Sequence, residues 1–207
     1  MKNSADEQPG VPRQREGAQK NITCTVRAAD VNDAKKIFMT ARNRLVDINH
    51  WADYSRPITA AFCLTDAEGR ELKRTAEKGD YFKINLPAPG SNEGDGFDWV
   101  KIETIEEQGH ADDNEEKIVI QVRPASAPTH AGENIAHFFD DRATSSFMVE
   151  RHGTEVTAAV FGRNEIPNTA TSNMADKMRN VLVGITAIAG FSNVQWKNLV
   201  KGLIETR

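Results

Sequence analysis

Five histidines, two cysteines and a few adjacent carboxylates are the groups in this chain that could carry chemistry, and their spacing favours little of it. His50, His110, His130, His137 and His152 form no i, i+4 helical pair. Neither Cys24 nor Cys63 stands near a histidine, so the usual zinc-site spacings are missing. The stretch His137-Phe138-Phe139-Asp140-Asp141 sets two carboxylates beside a histidine, which suits a divalent ion or, more simply, a solvated loop. The run Gly90-Ser91-Asn92-Glu93-Gly94-Asp95-Gly96 lacks the Gly-Lys-Ser/Thr ending of a phosphate cradle, and Glu93 and Asp95 would repel a phosphate. It reads as an exposed turn. No serine or cysteine has the strand-turn-helix setting of an activated nucleophile. The polar groups left to point into a pocket are Arg151, Glu150, Thr157 and Arg163, all on expected strands, where a one-residue slip in register reverses every face. No catalytic residue, metal ligand or cofactor is assigned.

The aromatic residues are the better clue. Trp51, Tyr54, Phe62, Tyr81, Phe82, Trp99, Phe147 and Phe161 are spread over nearly all the elements of the chain. Each one alone reads as core. Together they are numerous enough to line an apolar pocket, since small-molecule sites are mostly apolar with a few placed polar groups. The residues expected to contact a ligand are Trp51, Tyr54, Phe62, Phe82, Trp99, Phe147 and Phe161, with Arg151 as a polar group and Met178, Leu182 and Ile185 from a terminal helix.

The elements that must position them follow from periodicity. Ile22, Cys24 and Val26 alternate as a half-buried strand over 21–27. From Val31 through Ala34, Phe38, Ala41 and Leu45 the apolar spacing becomes helical, with Asp30 as N-cap in competition with Asp33 and an end near Trp51. A hairpin is expected over 58–65 and 70–75 around Asp66-Ala67-Glu68-Gly69, then strands over 81–86, 97–106 and 117–123, and a second hairpin over 143–151 and 155–163. The loops at 87–96 and 124–134 hold prolines, glycines and little to bury. From Ser172 the apolar residues recur at three and four, including Met174, Met178, Val181, Leu182 and Ile185. Gly190 followed by Ser192-x-x-Gln195 predicts a break and a restart, with Trp196, Leu199, Val200 and Leu203 on the apolar face of the last segment.

Composition narrows the class. Residues 1–20 carry charge, proline and glycine with almost nothing apolar, so they are expected as a disordered tail ahead of a single domain over 21–207. The tail has no apolar core of the kind a secretory signal needs, and two cysteines inside apolar runs suit a reducing compartment, so the protein is taken as cytoplasmic. A net charge of -4 without a dense basic run argues against nucleic acid as a partner, and no stretch is long and apolar enough for a membrane span.

Strand, helical pair, a series of antiparallel strands and a long terminal helix make an α+β domain. That order resembles the helix-grip fold of the SRPBCC superfamily, which includes the START domains, the birch-pollen allergen family and the polyketide cyclases. The likeness rests on the topology, on Ala34-Lys35-Lys36-Ile37-Phe38 leading to Trp51, on Gly79 to Ile84 with Phe97-Asp98-Trp99-Val100 after it, and on the terminal amphipathic helix. The resemblance implies a curved antiparallel sheet of about seven strands wrapped around the terminal helix, with an apolar cavity between them for a bulky apolar small molecule such as a lipid or polyketide. It also admits a cyclase- or dehydratase-like enzyme using the same cavity, or a protein-interaction or homodimerising domain without ligand.

Overall fold

The structure is a computed structural model and describes residues 8–55, 60–85, 91–130, 132, 134–170, 176–181 and 191–205. Its elements are β1 (Ala18–Arg27), α1 (Val31–Val46), α2 (Trp51–Tyr54), β2 (Ala61–Thr65), β3 (Tyr81–Asn85), β4 (Asp98–Gln108), β5 (Glu115–Pro124), β6 (Thr144–His152), β7 (Glu155–Glu165) and α3 (Phe191–Ile204). Residues 176–181 are also helical. The strands form one antiparallel sheet in the order β1-β7-β6-β5-β4-β3-β2.

One face of this curved sheet takes the helices. Alternate residues such as Ile22, Phe82, Val100, Ile120, Phe147 and Val160 point into a shared core with α1 and α3. α1 contributes Ala34, Phe38, Ala41 and Leu45, the three- and four-residue steps that put one stripe of a helix on a surface. Asp30 caps it as expected, its side chain accepting from the Asp33 backbone N–H at 2.9 Å. Leu199, Val200, Leu203 and Ile204 are the buried face of α3. The end of α3 is fastened twice. Arg44 Nη1 donates to the Gly202, Leu203 and Glu205 carbonyls at 2.9, 3.2 and 2.9 Å. A Cβ on Gly202 would stand 1.8 Å from the Tyr54 carbonyl oxygen, so α2 and α3 touch backbone to backbone.

Three expectations change. The segment 70–75 is not a strand: it makes only an isolated bridge, Glu71 to Thr65. Its charged side chains turn outward into pairs such as Glu71 with Lys83, while Leu72 packs on the core and gives its carbonyl to Asn49. The sheet therefore has seven strands in all rather than one strand followed by seven. The first strand begins at Ala18, not residue 21, and residues 8–17 do not run free. They cross the outer face of the sheet, where Val11 packs on Val119, Met148, Ala159 and Phe161. Lys117 Nζ donates to the Pro9 carbonyl at 2.9 Å and Asn164 Oδ1 accepts from the Arg15 backbone N–H at 2.8 Å. That outer apolar patch supplies the burial that the segment's own composition lacks. Ser192 stands inside α3 instead of capping it. The break expected at Gly190 lies outside the described residues.

Candidate functional site

On the concave face, α2 and three strands, β2, β3 and β6, converge in a cluster of aromatic rings. Trp51 is wholly buried, its ring centroid 5.4 Å from Phe62, 5.8 Å from Phe82 and 4.7 Å from Phe147. The first two contacts are edge-on, the geometry that the ring quadrupoles favour. The indole N–H donates to the Leu45 carbonyl at 3.1 Å, so the ring's polar atom is satisfied inside the core. Trp196 of α3 extends the cluster outward. It is half-buried, with centroids 5.3 Å from Phe147 and 6.3 Å from Phe62. Tyr54 lies against the same core, under the Arg44 guanidinium, and donates its hydroxyl to Asp47 at 2.8 Å. Burial first, and then the Asp47 carboxylate, push the phenol up to about 12.

Five of the residues expected at the site thus come together: Trp51, Tyr54, Phe62, Phe82 and Phe147. Trp99 and Phe161 do not. Trp99 faces outward between the concave residues of β4 and is capped by residues 91–97 and by Ala125, Ala127 and Ala136, its indole N–H donating to the Gly94 carbonyl at 3.1 Å. Phe161 belongs to the outer patch under residues 8–17. Met178 is 70% exposed. Leu182 and Ile185 lie outside the described residues. Thr157 also faces outward and bonds to Thr25 at 2.8 Å. Arg163 is buried and donates to the Lys20 and Gly162 carbonyls and to Asn21 Oδ1.

Arg151 faces the concave side but at the far end of the sheet, where it is 1% exposed and paired with Glu116 at 2.6 Å. Its other guanidinium nitrogens donate to the carbonyls of Asp113, Asn114 and Gly153. It staples the β4–β5 turn to the β6–β7 turn. Beside it opens a recess of about 600 Å³ lined by charged groups including Glu115, Lys117, Glu150 and His152. This lining suits water and ions, not an apolar molecule.

The opposite end of the concave face holds a buried polar hub. Asp98, in step with Val100 and Ile102 on β4, pairs with Arg179 of the helical residues 176–181. Arg179 also donates to Asn180 Oδ1 at 2.9 Å, and Asp176 accepts the backbone N–H groups of Asn92 and Glu93 at 3.0 and 3.1 Å. His137 lies at this hub with its Nδ1 accepting from the Phe139 N–H at 2.9 Å. Burial, and secondarily the Arg179 charge, depress its pKa to about 3, so the imidazole is neutral. Its neighbour Asp140 is engaged by Arg142, so the stretch 137–141 is folded as a structural corner and does not converge on an ion. The hub was missed in the sequence. Its one signal was a carboxylate, Asp98, on the inward alternation of an otherwise apolar strand.

No protein-family model matches the sequence, and no curated protein matches it significantly. Among solved structures, the chain is similar to a hypothetical protein from Helicobacter pylori at 13% identity and a TM-score of 0.45, covering 90% of this chain and 86% of that one. A protein from Arthrobacter aurescens aligns at 13% identity and 0.40, covering 89% and 85%. A truncated norcoclaurine synthase from Thalictrum flavum aligns at 10% identity and 0.40, covering 95% and 100%. Likeness at this level says nothing of activity. It is the chain's own strand order, β1-β7-β6-β5-β4-β3-β2, with the helical pair after β1 and the terminal helix on the concave face, that makes it a helix-grip domain, the fold of the SRPBCC superfamily.

Proposed function

We propose that this chain binds a bulky apolar small molecule, of the lipid or polyketide kind, on the concave face between the sheet and the C-terminal helix. The observation that carries the reading is Trp196. An aromatic cluster that served only as core would close over itself, whereas here it continues from the buried Trp51, Phe62 and Phe147 to a half-buried indole on α3. An indole held by two rings, edge-on to Phe147 and tilted against Phe62, with the rest of its surface only partly covered, is a contact that an apolar molecule can complete. Phe82 and Tyr54 flank the same surface. The reading also includes Leu182 and Ile185, on the strength of their apolar spacing in the sequence alone. Two unpaired, partly buried thiols suit a cytoplasmic protein.

Native mass spectrometry of the purified protein tests this. An apolar molecule retained in one-to-one ratio, and released on unfolding, is the expected result. A chain that carries nothing and takes up no added apolar compound overturns the reading.

A further inference from the structure

The two edges of the sheet are treated differently. On the short edge strand β2, Leu64 faces away from β3, and its backbone is satisfied from within the chain. Its N–H donates to Asn49 Oδ1 at 2.9 Å and its carbonyl accepts from the Leu72 N–H at 2.9 Å. β1, at the other edge, is twice as long, and among the described residues no backbone hydrogen bond reaches its outer side.

The ladder with β7 decides which groups face that free side. The Ala28 N–H donates to the Thr154 carbonyl at 2.9 Å, and Val26–Val156, Cys24–Ala158 and Ile22–Val160 continue this register in steps of two. In an antiparallel ladder every second pair exchanges both hydrogen bonds. The even residues of β1 therefore bond to β7, and Asn21, Thr23 and Thr25 turn their N–H and C=O groups outward. Their side chains are exposed on the outer face of the sheet.

Natural edge strands are commonly blunted by charge, proline or a bulge. Here a bulge guards only the first residues. Two steps on β1 lead from Ala18 to Lys20, while three on β7 join their partners Glu165 and Gly162. The extra residue has Asn164 in the left-handed conformation, φ 54°, and it carries Glu165 back over Gly162 on the concave side, where a Cβ on Gly162 would collide with the Glu165 carboxylate. The exposed charge on β1, Arg27, stands at the far end and pairs with Glu155 at 2.6 Å. Between these ends the strand is Ile, Thr, Cys, Thr and Val, mostly β-branched residues that favour pairing.

We infer that β1 docks the β1 strand of a second copy of this chain, antiparallel, across a two-fold axis at Thr23. An antiparallel partner must set residues of the same face opposite each other, and β1 does this with itself. Thr23 is the middle one of the three outward-turned residues. About that axis Thr23 meets Thr23 and Asn21 meets Thr25, so each outward N–H and C=O gains a partner, and short hydroxyl and amide side chains stand opposite one another. On the concave side Ile22 meets Cys24. No like charges come face to face. The pairing offers backbone bonds and little apolar area, so it belongs with small, reversible interfaces, and a dilute chain is single. It does not depend on whether the concave face holds a ligand.

Sedimentation velocity of the full chain over about a hundredfold range of concentration tests this. The expected result is a shift from one chain to two as concentration rises. Thr23→Pro removes an outward N–H and none of the bonds to β7, and Thr23→Lys sets two ammonium groups opposite each other across the axis. Each should weaken association about tenfold or more with an unchanged circular dichroism spectrum. In a Cys24→Ala, Cys63→Ala background, Thr23→Cys should form a disulfide-linked dimer on mild oxidation, because the Cα atoms of a hydrogen-bonded pair lie about 5.5 Å apart, within disulfide reach. Thr25→Cys, opposite Asn21, should not. A chain that stays single at every concentration overturns the inference. So does a dimer that neither Thr23→Pro nor Thr23→Lys weakens, or cross-linking at Thr25 in place of Thr23. Should Thr23→Pro fail to fold, Thr23→Lys, at an exposed position, decides.

Discussion

Asp98 and Arg179 form a buried two-pronged ion pair, with nitrogen-oxygen separations of 2.5 and 3.1 Å, that ties the start of β4 to the helical residues 176–181. The pair sits at the end of the concave face opposite Arg151 and Glu116, so the site is fastened at both ends by charge and filled between them by rings. Removing one partner leaves the other charge buried. Asp98→Asn or Arg179→Met alone is therefore expected to cost about 3–5 kcal/mol, and the Asp98→Leu, Arg179→Met double variant to recover most of it. Urea unfolding curves measure all three. Single losses below about 1 kcal/mol would mean that the pair is solvated and does not hold the helix.

His137 gives the protein an acid-side liability. Its folded pKa, about 3, lies below the ordinary histidine value of 6.5, so the unfolded chain takes up a proton first as pH falls. Stability attributable to it is full above the unfolded value and is lost as pH falls from there toward the folded one. Between about pH 7 and pH 5 the expected loss is about 2 kcal/mol. His137→Asn, whose side-chain oxygen can replace Nδ1 as the acceptor for the Phe139 N–H, should flatten that interval. An unchanged slope in the variant would show that another group is responsible.

Phe147 and Trp196 touch, yet truncating them should have different effects. Phe147→Ala empties a wholly buried position and is expected to cost about 3–5 kcal/mol of stability. Trp196→Ala removes a half-buried ring, so it should cost less in stability while weakening hexylbenzene binding about tenfold, as expected for loss of one stacked aromatic contact. Parallel thermal melts and dye-displacement titrations separate the two effects. Equal damage to stability with no change in binding would assign Trp196 to the core.

Removing residues 1–16 uncovers Val119, Met148 and Phe161 on the outer face. An apolar patch left open on a sheet surface promotes association. Light scattering of the shortened chain should show a rise in average mass that the full chain lacks; a chain that stays the same size would mean that the segment shields nothing of consequence.

Much of the architecture was legible because it depends on local periodicity. The alternation Ile22, Cys24, Val26 and Phe82, Ile84 marks the strands, and the switch to Ala34, Phe38, Ala41, Leu45 marks α1. Facing was legible only where the alternation was applied strictly. Trp99 and Phe161 are large and apolar, so they attract assignment to the ligand side, but each is one residue off the concave set of its strand, Val100 and Val160. What no local pattern contains is a contact between distant segments. The docking of residues 8–17 needs a patch assembled from β5, β6 and β7, and the turn of Glu165 onto the concave face needs the bulge at Asn164. Asp98 and Arg179 are 81 residues apart, and nothing in either neighbourhood names the other.

The most direct test of the apolar site is a fluorescence titration of the full chain with anilinonaphthalene sulfonate, followed by displacement with hexylbenzene. Saturation at one dye per folded chain, full displacement, and an affinity lowered by Trp196→Ala are expected. Binding that never saturates, or that is indifferent to Trp196, would contradict a site between the sheet and the C-terminal helix.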